Sequence, residues 1–62
     1  MGEYLNVTFI GLYFSLTCQV SYKDCEADED KAIEYANYLM KEVYGWEVQA
    51  CSHEVIVEEA DE

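Results

Sequence analysis

Two alternating runs of opposite parity meet at Gly11, and that reversal constrains the fold more than any other feature of the chain. From Ile10 to Tyr22 the even positions Ile10, Leu12, Phe14, Leu16, Cys18, Val20 and Tyr22 are apolar or aromatic, while Ser15, Thr17, Gln19 and Ser21 between them are polar. Side chains of a strand alternate between its two faces, so this run has one face suited to burial. Ahead of Gly11 the parity is inverted: Leu5, Val7 and Phe9 are apolar, Asn6 and Thr8 polar. One straight strand cannot keep both sets on one face, so the chain turns or bulges near Gly11. Length decides for a turn. A single strand of about eighteen residues would span roughly 60 Å at about 3.3 Å per residue, whereas a chain of this size has a radius of gyration of only about 10–11 Å. The expectation is two strands, near 3–10 and 13–22, without the Asn-Gly or Asp-Gly pair that two-residue hairpins usually carry.

Lys23 to Ala27 form a polar connector. Asp28 stands as a helix N-cap, and Glu29 and Asp30 follow where carboxylates favour the helix dipole. Ala32, Ile33, Ala36, Leu39, Met40 and Val43 recur at helical spacing as one apolar stripe, and Gly45 suits a left-handed C-terminal cap, so the spacing predicts a helix ending at Tyr44. Beyond it Trp46, Val48 and Ala50 alternate with Glu47, Gln49 and Cys51, and Val55-Ile56-Val57 extends or restarts that strand before the acidic end Glu58-Glu59-Ala60-Asp61-Glu62. A strand, a crossing helix and a returning strand place the third strand parallel to the second, and the first fits between them. The expected fold is therefore α+β: a two-layer β-β-α-β sandwich, with a three-stranded antiparallel sheet in order 2-1-3 and one helix on one face. With no proline, linker or repeat, residues 1–62 are expected to form a single small acidic domain. The two periodicities assign the core to Leu5, Val7, Phe9, Leu12, Phe14, Leu16, Val20, Ile33, Ala36, Leu39, Met40, Val43, Trp46 and Val48. The open face would carry Tyr4, Asn6, Thr8, Tyr13, Ser15, Thr17, Gln19, Ser21, Gln49, Cys51 and His53, polar but almost uncharged.

Charge narrows the function. Fourteen Asp and Glu stand against Lys23, Lys31 and Lys41, with no arginine, for a net charge of −11. Direct nucleic-acid binding needs clustered Lys and Arg and is not expected. At 52% hydrophobic residues the chain is nevertheless too apolar for the disordered class. Met1-Gly2-Glu3-Tyr4 lacks the basic start of a secretory signal, and Asn6 stands where myristoylation wants Ser or Thr. Leu5 to Val20 is broken by polar residues at mostly alternating positions, which reads as sheet and not as a membrane span. Three cysteines without C-x-x-C spacing point to a reducing, cytoplasmic setting.

No motif names a reaction. Cys51 and His53, two apart on an expected strand, would share a face, but a catalytic pair needs an orienting third group and a pocket, and a structural zinc site needs four ligands. The simpler reading is an exposed histidine beside a strand cysteine. Cys18 falls in the apolar register as a small core residue, and Cys25 has no spacing partner. Asp24, Glu26, Asp28 and Asp30 alternate like a calcium loop, yet the sixth position from Asp24 is Glu29 in place of glycine and the twelfth is Tyr35 in place of glutamate. The expectation is no enzyme, no metal and no cofactor.

The acids themselves form the remaining pattern. Acidic caps and tails commonly serve solubility. Glu26, Asp30, Glu34 and Glu42, however, fall on one i, i+4 row with Tyr38 in the gap, where neighbours stand about 5–6 Å apart and like charges cost a few tenths of a kcal/mol each. Eleven uncompensated charges on so small a domain repel one another and draw basic partners toward them. The candidate partner-binding residues are Glu26, Asp28, Glu29, Asp30, Glu34 and Glu42. In size and charge the whole chain resembles the small acidic anti-CRISPR proteins and other DNA-mimic inhibitors of phages and mobile elements, which share no sequence signature. The resemblance implies a non-enzymatic inhibitor, acting in the host cytosol, that blocks a nucleic-acid site on a basic nucleic-acid-binding protein such as a CRISPR effector subunit. The alternative expectation is a small interaction module that self-associates as a homodimer, or binds a partner, through the uncharged sheet face.

Overall fold

A computed structural model describes residues 3–60; Met1, Gly2 and the acidic terminal pair Asp61-Glu62 lie outside the described residues. The elements run β1 (Tyr4–Ile10), β2 (Ser15–Ser21), α1 (Tyr22–Cys25), α2 (Glu29–Tyr44), α3 (Val48–Cys51) and β3 (Glu54–Ala60). The chain does turn after Gly11. Its backbone N–H donates to the Phe14 carbonyl at 2.9 Å, and Leu12 and Tyr13 form the loop between them. Neither loop residue adopts a positive φ, which is why the turn needs no Asn-Gly pair. Glycine suits position 11 for a different reason: a Cβ there would displace the Phe14 ring.

The sheet is three-stranded and antiparallel in order β2-β1-β3, as the crossover argument anticipates. Across it, Leu5 lies between Val20 and Glu59, Val7 between Cys18 and Val57, and Phe9 between Leu16 and Val55. These rows face α2. The intervening rows, Gln19-Asn6-Glu58, Thr17-Thr8-Ile56 and Ser15-Ile10-Glu54, face away from it.

The third strand is shorter than its alternating sequence suggests. Val48–Cys51 form a helical turn, and only Glu54–Ala60 pair with β1. β1 offers seven positions and β3 fills all of them, so residues 46–51 meet no strand to pair with. They find local partners instead: Gln49 N–H donates to Asn37 Oδ1 at 2.9 Å, and Ser52 Oγ donates to the Val48 carbonyl at 2.7 Å. Gln49, Cys51 and His53 are therefore off the sheet. Glu54, Ile56 and Glu58 occupy the open face instead, so that face is charged on one side, contrary to expectation.

Leu5, Val7, Phe9, Val20, Cys25, Ala32, Ala36, Met40 and Val48 are buried, with Phe14, Leu16, Ile33 and Trp46 packed partly buried against them. Ala32, Ala36 and Met40 form one i, i+4 row, and its two alanines let the first half of α2 approach the sheet closely. Two expected core residues are exposed. Leu12, at 77% exposure, sits in the turn beyond the strand ends. Val43, at 75%, lies in the last turn of α2 past Met40, where the core has ended. Leu39 is only half-buried and lies outside the cluster.

The connector is structured as well. Ser21 caps α1, its Oγ accepting from Lys23 N–H at 3.1 Å. The buried Cys25 thiol donates to the Ser21 carbonyl at 3.4 Å. Glu26 and Ala27, at φ 55° and 56°, then swing the chain into α2.

Candidate acidic face and groove

The carboxylates of the expected row have different surroundings. Asp28 is the N-cap of α2: one of its oxygens accepts from Asp30 N–H at 2.8 Å and from Lys31 N–H at 3.2 Å. This satisfies backbone donors that a helix start otherwise leaves open. Glu29 is exposed and shares the i, i+4 row of Ile33, not that of Asp30. Glu26 lies outside α2, in the left-handed turn, and is paired with Lys31 Nζ at 2.6 Å. The row in α2 thus reduces to Asp30, Glu34 and Glu42 with Tyr38 between, all exposed and on the side of the helix away from Ala32, Ala36 and Met40. At 1.5 Å per residue it is about 18 Å long.

The lysines nearby are held by carboxylates outside that row, although Lys31 also feels the charge of Glu34 and Lys41 that of Glu42. Lys41 Nζ lies 2.7 Å from Glu47 Oε2, and Lys31 is held by Glu26. In each case the carboxylate hydrogen bond and charge keep the ammonium pKa above its usual value. Glu47 responds in the opposite sense: hydrogen bonds from Lys41 and from Asn37, and then the Lys41 charge, hold its carboxyl below the usual range. Such exposed pairs add little stability, but they fix where the cations stand.

Beside the row, Asp24 of α1 and Lys31, Glu34, Tyr35 and Tyr38 of α2 line a shallow open groove of about 400 Å³. The Tyr35 and Tyr38 rings are 6.4 Å apart. Sequence reasoning misses this groove. Its only signal is the i, i+3 spacing of two tyrosines flanking the acidic row, and α1, which supplies its far wall, has no sequence mark beyond its serine cap.

The alternating acids after Asp24 do not converge. Asp24 belongs to α1, Glu26 pairs with Lys31 and Asp28 caps α2. Cys51 ends α3 and His53 precedes β3, so they do not share a strand. Among the described residues no group of three or more His, Cys, Asp or Glu is placed to hold a metal ion. Burial pushes the Cys18 thiol pKa up, making it a poorer nucleophile. At the hairpin end Trp46 contacts Phe14 edge-to-face at 5.2 Å and Tyr44 at 6.5 Å, with Leu12, Tyr13 and Val43 exposed nearby in sequence. Among the described residues no helix is long and apolar enough to cross a membrane. Comparison with protein-family models, with curated proteins and with solved structures finds no match for this chain.

Proposed function

We propose that the protein is a non-enzymatic inhibitor that presents the outer side of α2 as a DNA-like acidic surface to a basic nucleic-acid site on a bacterial defence complex, in the manner of anti-CRISPR proteins. The observation that carries this reading is the row of Asp30, Glu34 and Glu42, exposed on the outer side of a sixteen-residue helix while Lys31 and Lys41 are held by other carboxylates. Asp30 and Glu34 stand one step of about 5–6 Å apart on that row, close to the separation of successive phosphates on one strand, and Glu42 follows two steps on, across Tyr38, so a channel lined with Lys and Arg would accept the row. Like charges so placed cost stability, a cost that a face serving solubility alone would not require. The partner is thus a basic protein, with no direct contact to nucleic acid, no membrane and no cofactor, and the site of action is the host cytosol.

The experiment is competition. Purified CRISPR effector complexes are loaded with a labelled target duplex, and the chain is titrated in at several salt concentrations. The expected result is displacement of the duplex from at least one effector, relieved by excess unlabelled duplex and weakened steeply by salt. Binding that leaves the duplex in place, or that salt does not weaken, overturns the reading.

A further inference from the structure

The two outer strands of the sheet are not equivalent. β3 carries Glu54, Glu58 and Glu59, charges of the kind that discourage edge pairing. β2, with the sequence Ser-Leu-Thr-Cys-Gln-Val-Ser, has no charge and no proline over seven residues. Its pairing pattern follows from the bonds at either end: Gly11 N–H donates to the Phe14 carbonyl and Tyr22 N–H to the Glu3 carbonyl. Antiparallel bonds alternate along a strand, so Leu16, Cys18 and Val20 bond to β1, and the backbone N–H and C=O groups of Ser15, Thr17 and Gln19 point outward. Natural sheets seldom leave such an edge unprotected.

The acidic groove lies on that flank. α1 follows β2 directly and packs on both β2 and α2, so the groove between the helices opens on the β2 side. The opposite flank of α2 is taken by Asn37, which bonds to α3 and to Glu47. A strand added beside β2 would therefore run along that flank, past Asp24 of α1 and the Lys31 and Tyr35 side of α2, with every second side chain directed up toward the groove. Glu34 and Tyr38 form the outer rim of that groove, and its Lys31 is held by Glu26. Charge selects the occupant. A second copy would set β2 against β2 and bring two such flanks together on two chains of net charge −11. A basic segment is instead drawn in by the net negative charge, its Lys or Arg stems lying along Tyr35 and their heads directed to Asp24 and the lower side of the groove.

We infer that the β2 edge captures an extended segment of the partner bearing Lys or Arg at alternate positions, adding it as a fourth, edge strand beneath the acidic groove. This deepens the proposed function and takes from it the basic character of the partner. The probe is a capped seven-residue peptide alternating lysine and threonine, with two comparison peptides: one carries glutamate for lysine, and the other is N-methylated at the residues whose N–H groups would face β2. Amide hydrogen exchange of the protein is followed by NMR. The inference expects the lysine peptide to slow exchange at Thr17 and Gln19, to bind about tenfold or more tightly than the N-methylated peptide, and the glutamate peptide not to bind. Equal binding of the N-methylated peptide, unchanged exchange at Thr17 and Gln19, or no binding of the lysine peptide overturns it. Slowed exchange at those two amides that rises with protein concentration, without peptide, would make the occupant a second copy and also overturn it. The mimic reading stands or falls separately, on duplex competition: a chain that displaces duplex yet leaves the Thr17 and Gln19 amides exposed keeps that reading and loses this one.

Discussion

Ala36 is completely buried at the contact between helix and sheet, and its small size sets how closely α2 can approach. Ala36→Leu is expected to destabilise the fold by about 1–3 kcal/mol through overpacking. Phe9→Ala, which empties a fully buried ring from the central strand, should cost about 3–5 kcal/mol and leave little folded protein. Val43→Ala, at a residue 75% exposed, should change urea unfolding hardly at all. The sequence gives no means of ranking these three. Helical spacing marks Ala36, Leu39 and Val43 as one face, but how far the sheet extends beneath that face depends on where the strands end. Gly11→Ala should also destabilise, because the Phe14 ring must leave its edge-to-face contact with Trp46 to make room; loss of the Trp46 near-UV signal in the folded state checks it. A variant with unchanged stability and unchanged Trp46 signal would contradict that packing.

Elements were legible where their ends carry side-chain signals. Asp28 and Gly45 bracket α2 in the sequence and do so in the structure, because an oxygen that accepts the first amides and a residue at φ 82° are local requirements. Asp28→Ala is expected to lower stability by about 1 kcal/mol in thermal unfolding. The last third of the chain was harder to read. Residues 46–51 alternate like a strand, but a strand needs a neighbour, and the seven positions of β1 were already taken by Glu54–Ala60. Likewise Glu26 matches the acidic row by spacing, yet the left-handed pair Glu26-Ala27, which contains no glycine to announce it, removes it from the helix. Glu47 is tied to α2 by Lys41 and Asn37, and this gives a pH signature. Its folded-state pKa is below the ordinary value of 4.5, so the stability it contributes is present above pH 4.5 and is lost as pH falls through the lowered value. Thermal unfolding of Glu47→Gln and of the wild type should therefore differ at neutral pH and converge in acid. A gap that widens in acid would contradict this pairing.

The whole molecule measures 33 × 19 × 18 Å and carries a net charge of −11. Since screening lengths fall from about 30 Å at 0.01 M salt to about 3 Å at 1 M, self-repulsion acts across the entire fold at low salt and nearly vanishes at high salt. Added salt should thus raise the unfolding temperature while weakening attachment to a basic partner, two responses of opposite sign from one charge distribution. The sheet order, the long helix and the excess of acid were all present in the sequence; the division of the acids between two faces was not, because it depends on the register that turns Glu54 and Glu58 onto the open side. That division permits a charge-matched comparison. Asp30→Lys with Glu34→Lys, and Glu54→Lys with Glu58→Lys, change the net charge equally, the first on α2 and the second on the opposite face. The decisive measurement is the affinity of both double variants for an effector from which the wild type displaces duplex DNA, at a fixed low salt concentration. Abolished binding for the α2 pair beside retained binding for the sheet pair is the predicted result. Equal losses would mean that net charge alone attracts the partner, and a loss confined to the sheet pair would place the contact on the open face and contradict the account.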